Sequence, residues 1–246
     1  MNDEFYIGYL PKEPPILARH TRTVVIVLGV LAVLATALLA GRQTPADAGT
    51  FEFGIIRTFE GVLRETPLPL LRTVSPAGAV TNYLLVGSGK HGLPAFARGH
   101  DGERVRFQGS LITRPGAEMI ELNRPASFEV LGRASATELG PRSGVIGNAV
   151  LTGELVDTKC WYGVMRPATG KVHRACAVRC LSGGIPPGIL VRDGEGNGVV
   201  VLLTGEAATP LQFDPQWAAR IVTAEGILEF REELAVLRVR TLVLDR

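Results

Sequence analysis

Hydrophobic residues are distributed along the chain in two different ways. Residues 23–40 form one continuous run, TVVIVLGVLAVLATALLA, without a charged side chain. Beyond residue 50 the apolar residues come in short runs, which often alternate with polar residues and are separated by glycines and prolines. A long uncharged run is typical of a membrane-spanning helix, and alternation with a period of two is typical of β-strands. The pattern predicts a transmembrane helix over 23–41 and a mainly β region after it.

The charges around the apolar run predict an orientation. Lys12, Arg19, His20 and Arg22 precede it, whereas Arg42 and Asp47 follow it. Positive residues favour the cytoplasmic side, so we expect a single-pass protein of the inner membrane whose C-terminal domains lie in the periplasm. A cleaved signal peptide is the alternative, with a cleavage site at Ala35-Thr36-Ala37.

The segments on either side of the predicted helix are short. Residues 1–22 contain Pro14-Pro15, which a helix cannot cross, and they are predicted as a cytoplasmic N-terminal segment. This segment is either a disordered tail or an extended stretch that docks on another membrane subunit. Residues 42–50 are predicted as a linker.

The β region contains an internal repeat. Three short motifs, each containing a glycine, recur in the same order, with glycines at 61, 87 and 109 in the first copy and at 153, 205 and 226 in the second. Glycine within a strand marks a bend or bulge, as the corners of a small barrel require. We therefore predict two five-stranded barrels, at 51–140 and 146–246, with a two-sheet sandwich as the alternative.

The strand and glycine pattern resembles the OB fold, and more particularly its tRNA-anticodon-binding-like superfamily. OB folds often bind single-stranded nucleic acid through aromatic side chains and a basic groove. With a net charge of +2 and only 6% aromatic residues, this chain offers neither, so no nucleic-acid partner is predicted.

The second copy carries an insertion that gathers the reactive side chains. The first two marker glycines are 26 residues apart in the first copy and 52 apart in the second, which places the extra residues at about 157–190. All three cysteines of the chain lie there, together with one of its four histidines. Residues 171–181 contain no glycine or proline, so a short helix is predicted that places His173, Cys176 and Cys180 on one face.

Two main interpretations of these residues remain open. In the first, Cys160 forms a disulfide with Cys176 or Cys180, because a periplasmic compartment favours oxidised thiols. In the second, Cys160, His173, Cys176 and Cys180 form a Cys3His site for Zn²⁺ or Cu(I). A redox thiol or iron–sulfur site is a weaker third interpretation, because no Cys-x-x-Cys pair is present.

Two neighbouring motifs are interpreted as structural. The stretch Gly87-Ser88-Gly89-Lys90-His91 resembles a phosphate-binding loop but lacks the required first glycine and final hydroxyl residue, so a β-turn is predicted. Asp157 precedes Cys160, yet Glu65 occupies the matching place in the first copy, where no cysteine is present. A role in the barrel itself is therefore predicted for Asp157.

The sequence predicts a non-catalytic accessory or scaffold subunit of a membrane complex, of respiratory or redox type, without a cofactor. No catalytic set is recognisable, although enzymatic activity is left open. Protein partners in the membrane complex would bind the barrels and the disulfide-pinned insertion, through Trp161, Tyr162, Met165, Ile185, Pro186 and Pro187. The alternative function is a periplasmic Zn or Cu carrier or redox protein, and a solute-binding groove between the barrels is a weaker third.

Overall fold

A computed structural model of the protein describes residues 14–42, 49–140, 144–194, 198–207, 209–231 and 234–245. The chain forms two compact units, residues 1–47 and 48–246. Helix α1 (Pro15–Arg42) lies in the first unit, and its 28 residues extend about 42 Å at 1.5 Å per residue. It is long and apolar enough to cross a membrane.

Helix α1 begins earlier than the predicted transmembrane segment. It starts at Pro15, because proline is tolerated in the first turn, where its missing N–H has no partner within the helix. Residues 15–22, assigned to the N-terminal segment from the sequence, are therefore helical, and residues 1–13 lie outside the described residues. The orientation of the helix and the compartment of the barrels stay predictions.

The first barrel is built from the strands before residue 123. Strands β2, β3, β4, β6 and β5 are hydrogen-bonded in that order, and pairing of β5 with β2 closes the barrel. Strands β1 and β7 attach to β5. The bounds are β1 Thr50–Phe51, β2 Arg57–Arg64, β3 Leu70–Val74, β4 Val80–Gly87, β5 Glu103–Arg114, β6 Ala117–Leu122 and β7 Glu129–Arg133.

The second barrel has the same strand order. Its strands follow β8, β9, β10, β12 and β11 around a closed sheet. In each barrel the third and fifth strands run parallel and all other neighbours are antiparallel, as in an OB-like barrel. The sandwich alternative is therefore wrong. The bounds are α2 Ala136–Leu139, β8 Gly144–Asp157, α3 Gly170–Ser182, β9 Pro187–Arg192, β10 Gly198–Gly205, β11 Ile221–Arg231 and β12 Leu234–Leu244.

The marker glycines occupy equivalent places in the two barrels. Gly61 pairs with Val105 in the first barrel, and Gly153 pairs with Val222 in the second. A Cβ atom on Gly153 would lie 2.3 Å from the Leu190 carbonyl oxygen, and one on Gly61 would meet the neighbouring strand in the same way. Glycine is needed because the partner backbone comes too close for any side chain.

A third hydrophobic cluster joins the two barrels. Each barrel encloses its own core, around Phe107 in the first and Leu237 in the second. The third cluster combines residues of the first barrel, such as Met119, with Tyr162 and Ile185 of the insertion. The insertion is therefore packed between the barrels, which fixes the position of its cysteines relative to both.

Candidate functional site

The insertion connects β8 to β9 through two short helical segments. A short helical turn spans Cys160–Val164 and is interrupted by the non-helical backbone of Gly163, and α3 follows after the loop that contains Met165. The predicted helix is present, and His173 and Cys180 are buried while Cys176 is half-buried.

The three cysteine sulfurs converge on one point. The Sγ atoms of Cys160, Cys176 and Cys180 all lie within 4.8 Å of one another, and those of Cys160 and Cys176 are 3.9 Å apart. All three cysteines are free. The disulfide predicted from the sequence is therefore not formed, since an S–S bond requires about 2.05 Å.

His173 belongs to a second group that overlaps the first. Its Nε2 atom lies 2.9 Å from Asp157 Oδ2, and the ligand atoms of Asp157, His173 and Cys160 lie within 4.8 Å of one another. The Cys160 amide also donates to Asp157 Oδ1 at 2.9 Å. The predicted Cys3His set is therefore not assembled as one cluster: three sulfurs form one group, and His173 shares only Cys160 with it.

Asp157 has a role that the sequence comparison with Glu65 did not indicate. Its carboxylate is fully buried and holds both His173 and the backbone of Cys160 in place. In the first barrel, Glu65 instead accepts a hydrogen bond from the His100 amide at 2.6 Å. Asp157 and Glu65, which occupy matching places in the two copies, thus have different hydrogen-bond partners, and of the two only Asp157 contacts the cysteine site.

Lys90 of the first barrel completes the site. It lies in the turn predicted for Gly87–His91, and its Nζ atom is 2.7 Å from Cys176 Sγ and 3.7 Å from Cys180 Sγ. The hydrogen bond to Cys176 raises the pKa of Lys90, which keeps its side chain an ammonium. A cationic side chain beside sulfur is a common feature of cysteines that bind metals or react with oxidants.

The pKa values of the Cys160 and Cys180 thiols are shifted in opposite directions. The hydrogen bond from Cys160 lowers the pKa of Cys180, and the charge of Lys90 acts in the same direction. The same hydrogen bond, together with burial and the nearby Asp157 carboxylate, raises the pKa of Cys160. Cys180 is therefore the first of the two to lose its proton, and the Cys160 thiol donates a hydrogen bond to its sulfur.

A second lysine fastens the insertion to the first barrel. Lys159 is 2% exposed, and its Nζ atom donates to the carbonyl oxygens of Gly87 at 2.8 Å and Gly89 at 2.7 Å. It also forms an ion pair of 2.5 Å with Glu121 on β6. The turn that carries Lys90 is thereby held at its first and third residues.

Backbone contacts between the barrels hold the turn from the other side. The amide of Gly92 donates to the carbonyl oxygen of Gly183 at 2.9 Å. A Cβ atom on Gly183 would lie 1.8 Å from the Lys90 carbonyl oxygen. The Gly183-Gly184 pair, which follows the end of α3 with Gly183 as its C-cap, thus also lets the two barrels approach closely.

The residues predicted to bind a partner differ in how far they are exposed to solvent. Tyr162, Ile185 and Pro186 are buried, and Tyr162 and Ile185 belong to the cluster that joins the barrels. Trp161 is half-buried, with the Arg114 guanidinium 3.8 Å from its ring centre, and Pro187 is also half-buried. Only Met165, at 43%, is well exposed. Partner binding through these residues stays a prediction.

No family model and no curated protein matches the chain. The assignment of a function therefore rests on the fold and on the chemistry of the cysteine site.

Proposed function

We propose that the protein is a membrane-anchored Cu(I)-binding protein whose ligands are Cys160, Cys176 and Cys180. The observation that carries the proposal is the convergence of three free sulfurs within 4.8 Å. Three sulfurs bound to one metal at about 2.3 Å lie roughly 4 Å from each other. The 3.9 Å between Cys160 and Cys176 fits that arrangement and is far too long for a disulfide.

The composition of the sulfur group favours Cu(I) over Zn²⁺. Soft thiolate ligands select Cu(I), and this ion accepts three of them in a plane. Zn²⁺ in structural sites takes four ligands, and His173, the fourth ligand predicted from the sequence, lies outside the group formed by the three sulfurs. The ammonium of Lys90 offsets part of the negative charge that three thiolates place around a monovalent ion.

The wider setting is part of the same proposal. Helix α1 would anchor the protein in the inner membrane, with the barrels and their cysteine site in the periplasm. The closed strand order supports membership of the anticodon-binding-like OB superfamily, without its nucleic-acid function. A role as accessory subunit of a membrane redox complex stays a prediction. The disulfide that was expected to pin the partner-binding insertion is not formed.

The test is a Cu(I) titration of the reduced full-length protein in detergent, under anaerobic conditions and against a chromogenic chelator. We expect one Cu(I) per chain. Cys176→Ser and Cys180→Ser should each weaken binding by more than the roughly 10- to 100-fold that loss of an outer-shell partner costs. Lys171→Ala, on the exposed face of α3, is the matched control and should bind as the wild type does.

His173→Gln separates the two metal interpretations. If Zn²⁺ and a Cys3His set were correct, this variant would lose binding as severely as a cysteine variant. Under the present proposal it retains Cu(I) with at most an outer-shell loss. Wild-type protein that fails to retain Cu(I), or a Cys176→Ser variant that binds equally well, would refute the proposal.

A further inference from the structure

The contact between Lys90 and Cys176 is unusually short. Their Nζ and Sγ atoms are 2.7 Å apart. Because sulfur is larger than oxygen by about 0.3 Å in radius, an N–H···S bond is normally about 3.3 Å long, against about 2.9 Å for N–H···O. The second contact of Lys90, to Cys180 at 3.7 Å, is of ordinary length. The Lys90–Cys176 contact is instead close to the nitrogen–sulfur distance in an N–O–S group, in which one oxygen atom is bonded to both.

The pair is also accessible to an oxidant. Cys176 and Lys90 are both half-buried, whereas Cys160 and Cys180 are buried. Oxidation of a cysteine requires that the oxidant reach its sulfur, and Cys176 combines partial exposure with the Lys90 nitrogen in direct contact. Of the three cysteines it is therefore the one most open to dissolved oxygen.

We propose that Lys90 and Cys176 form a covalent redox pair, joined in the oxidised state by an N–O–S bridge. In this step the ammonium of Lys90 first releases one proton to solvent, and the resulting amine, the thiol and one O2 then give the bridge and one water. One N–H bond and the S–H bond break, N–O and O–S bonds form, and the two hydrogens leave with the second oxygen atom. Nitrogen and sulfur each lose two electrons, and O2 accepts all four.

The bridge would regulate the metal site, an inference that rests on the proposed function. Cys176 cannot bind Cu(I) while its sulfur is bonded to oxygen, so oxidation would leave only Cys160 and Cys180 as ligands. The bridge would also tie the first barrel to α3 across 86 residues of chain. Reduction by a thiol would restore all three ligands. Oxidation would thus release the metal, and reduction would allow it to bind again.

The bridge is tested by mass spectrometry on the metal-free, full-length protein in detergent, kept either in air-saturated buffer or without oxygen. The expected change is a gain of about 14 Da, from one oxygen atom added and two hydrogens removed. After proteolysis, the peptides that contain Lys90 and Cys176 should be found joined, and a reducing thiol should separate them. Lys90→Arg keeps the charge but cannot close the same bridge, so it should show neither change.

Two results would overturn the inference. One is an unchanged mass in air, with all three cysteines still open to alkylation. The other is a loss of about 2 Da, which means a disulfide between two of the cysteines. The Cu(I) titration keeps this failure distinct from failure of the proposed function, because it uses reduced protein. If the bridge forms, the oxidised protein should bind Cu(I) at least about tenfold more weakly than the reduced protein, and a reducing thiol should reverse the loss.

Discussion

Replacing Lys159 with methionine removes the buried ammonium that fastens the insertion to the first barrel. Methionine has a similar length and volume, so the change tests charge and hydrogen bonding more than packing. Three partners lose their donor: the Glu121 carboxylate and the carbonyl oxygens of Gly87 and Gly89. The Glu121 side chain is 11% exposed, so water replaces the lost cation only in part.

The expected cost follows from that burial. Breaking a buried ion pair by removing one partner costs about 3–5 kcal/mol, because the other charge is left uncompensated. For a unit of this size, each kcal/mol lowers the melting temperature by roughly 2–4 °C, so a fall of about 10 °C is expected. The double variant Lys159→Met with Glu121→Leu removes the orphaned charge and should recover roughly 2 kcal/mol relative to the single variant.

The assay is urea unfolding of the full-length protein in detergent, followed by circular dichroism. Lys171→Met, an exposed lysine on α3, is the matched control and should stay within about 0.5 kcal/mol of wild type. A cost below about 1 kcal/mol for Lys159→Met would refute the reasoning. So would a double variant whose loss equals the sum of the two single losses, since no coupling between the residues would then exist.

Three further predictions concern the contacts around the site. Gly183→Ala should lower both the melting temperature and the Cu(I) affinity, because its Cβ would lie 1.8 Å from the Lys90 carbonyl oxygen, whereas Gly194→Ala meets no atom within 4 Å and should change neither. Lys90→Met should raise the pKa of the Cys180 thiol, so the thiolate absorbance of metal-free, reduced protein should appear at higher pH; a midpoint that stays in place would contradict this. Arg114→Ala removes the guanidinium that lies over the neighbouring indole ring, and a loss of about 0.5–1 kcal/mol is expected in urea unfolding; a loss above about 3 kcal/mol would point to another role.

The architecture could be predicted because it depends on local spacing. Glycines such as Gly153 lie where two backbones come too close for a side chain. Their repeated spacing in the sequence therefore indicates which residues of neighbouring strands pair in each barrel. Val105 and Val222 each lie four residues before the third marker glycine of their copy, and they pair with the equivalent glycines Gly61 and Gly153. The stripe of His173, Cys176 and Cys180 likewise follows from helical periodicity alone.

The composition of the site could not be predicted, because it depends on contacts between distant segments. Lys90 comes from a turn 86 residues before Cys176, and no local pattern indicates how the two barrels pack. The disulfide was predicted wrongly for a related reason. Three cysteines in a short segment suggest one bonded pair and a spare thiol, and only the packing of α3 against Cys160 shows that all three sulfurs meet.

X-ray absorption at the copper edge, on the reduced full-length protein loaded with one equivalent of Cu(I), tests the central claim most directly. The account predicts three sulfur neighbours at about 2.3 Å and two sulfurs in the Cys176→Ser variant. A copper shell made of nitrogen or oxygen atoms, or one that does not change when Cys176 is replaced, would contradict it.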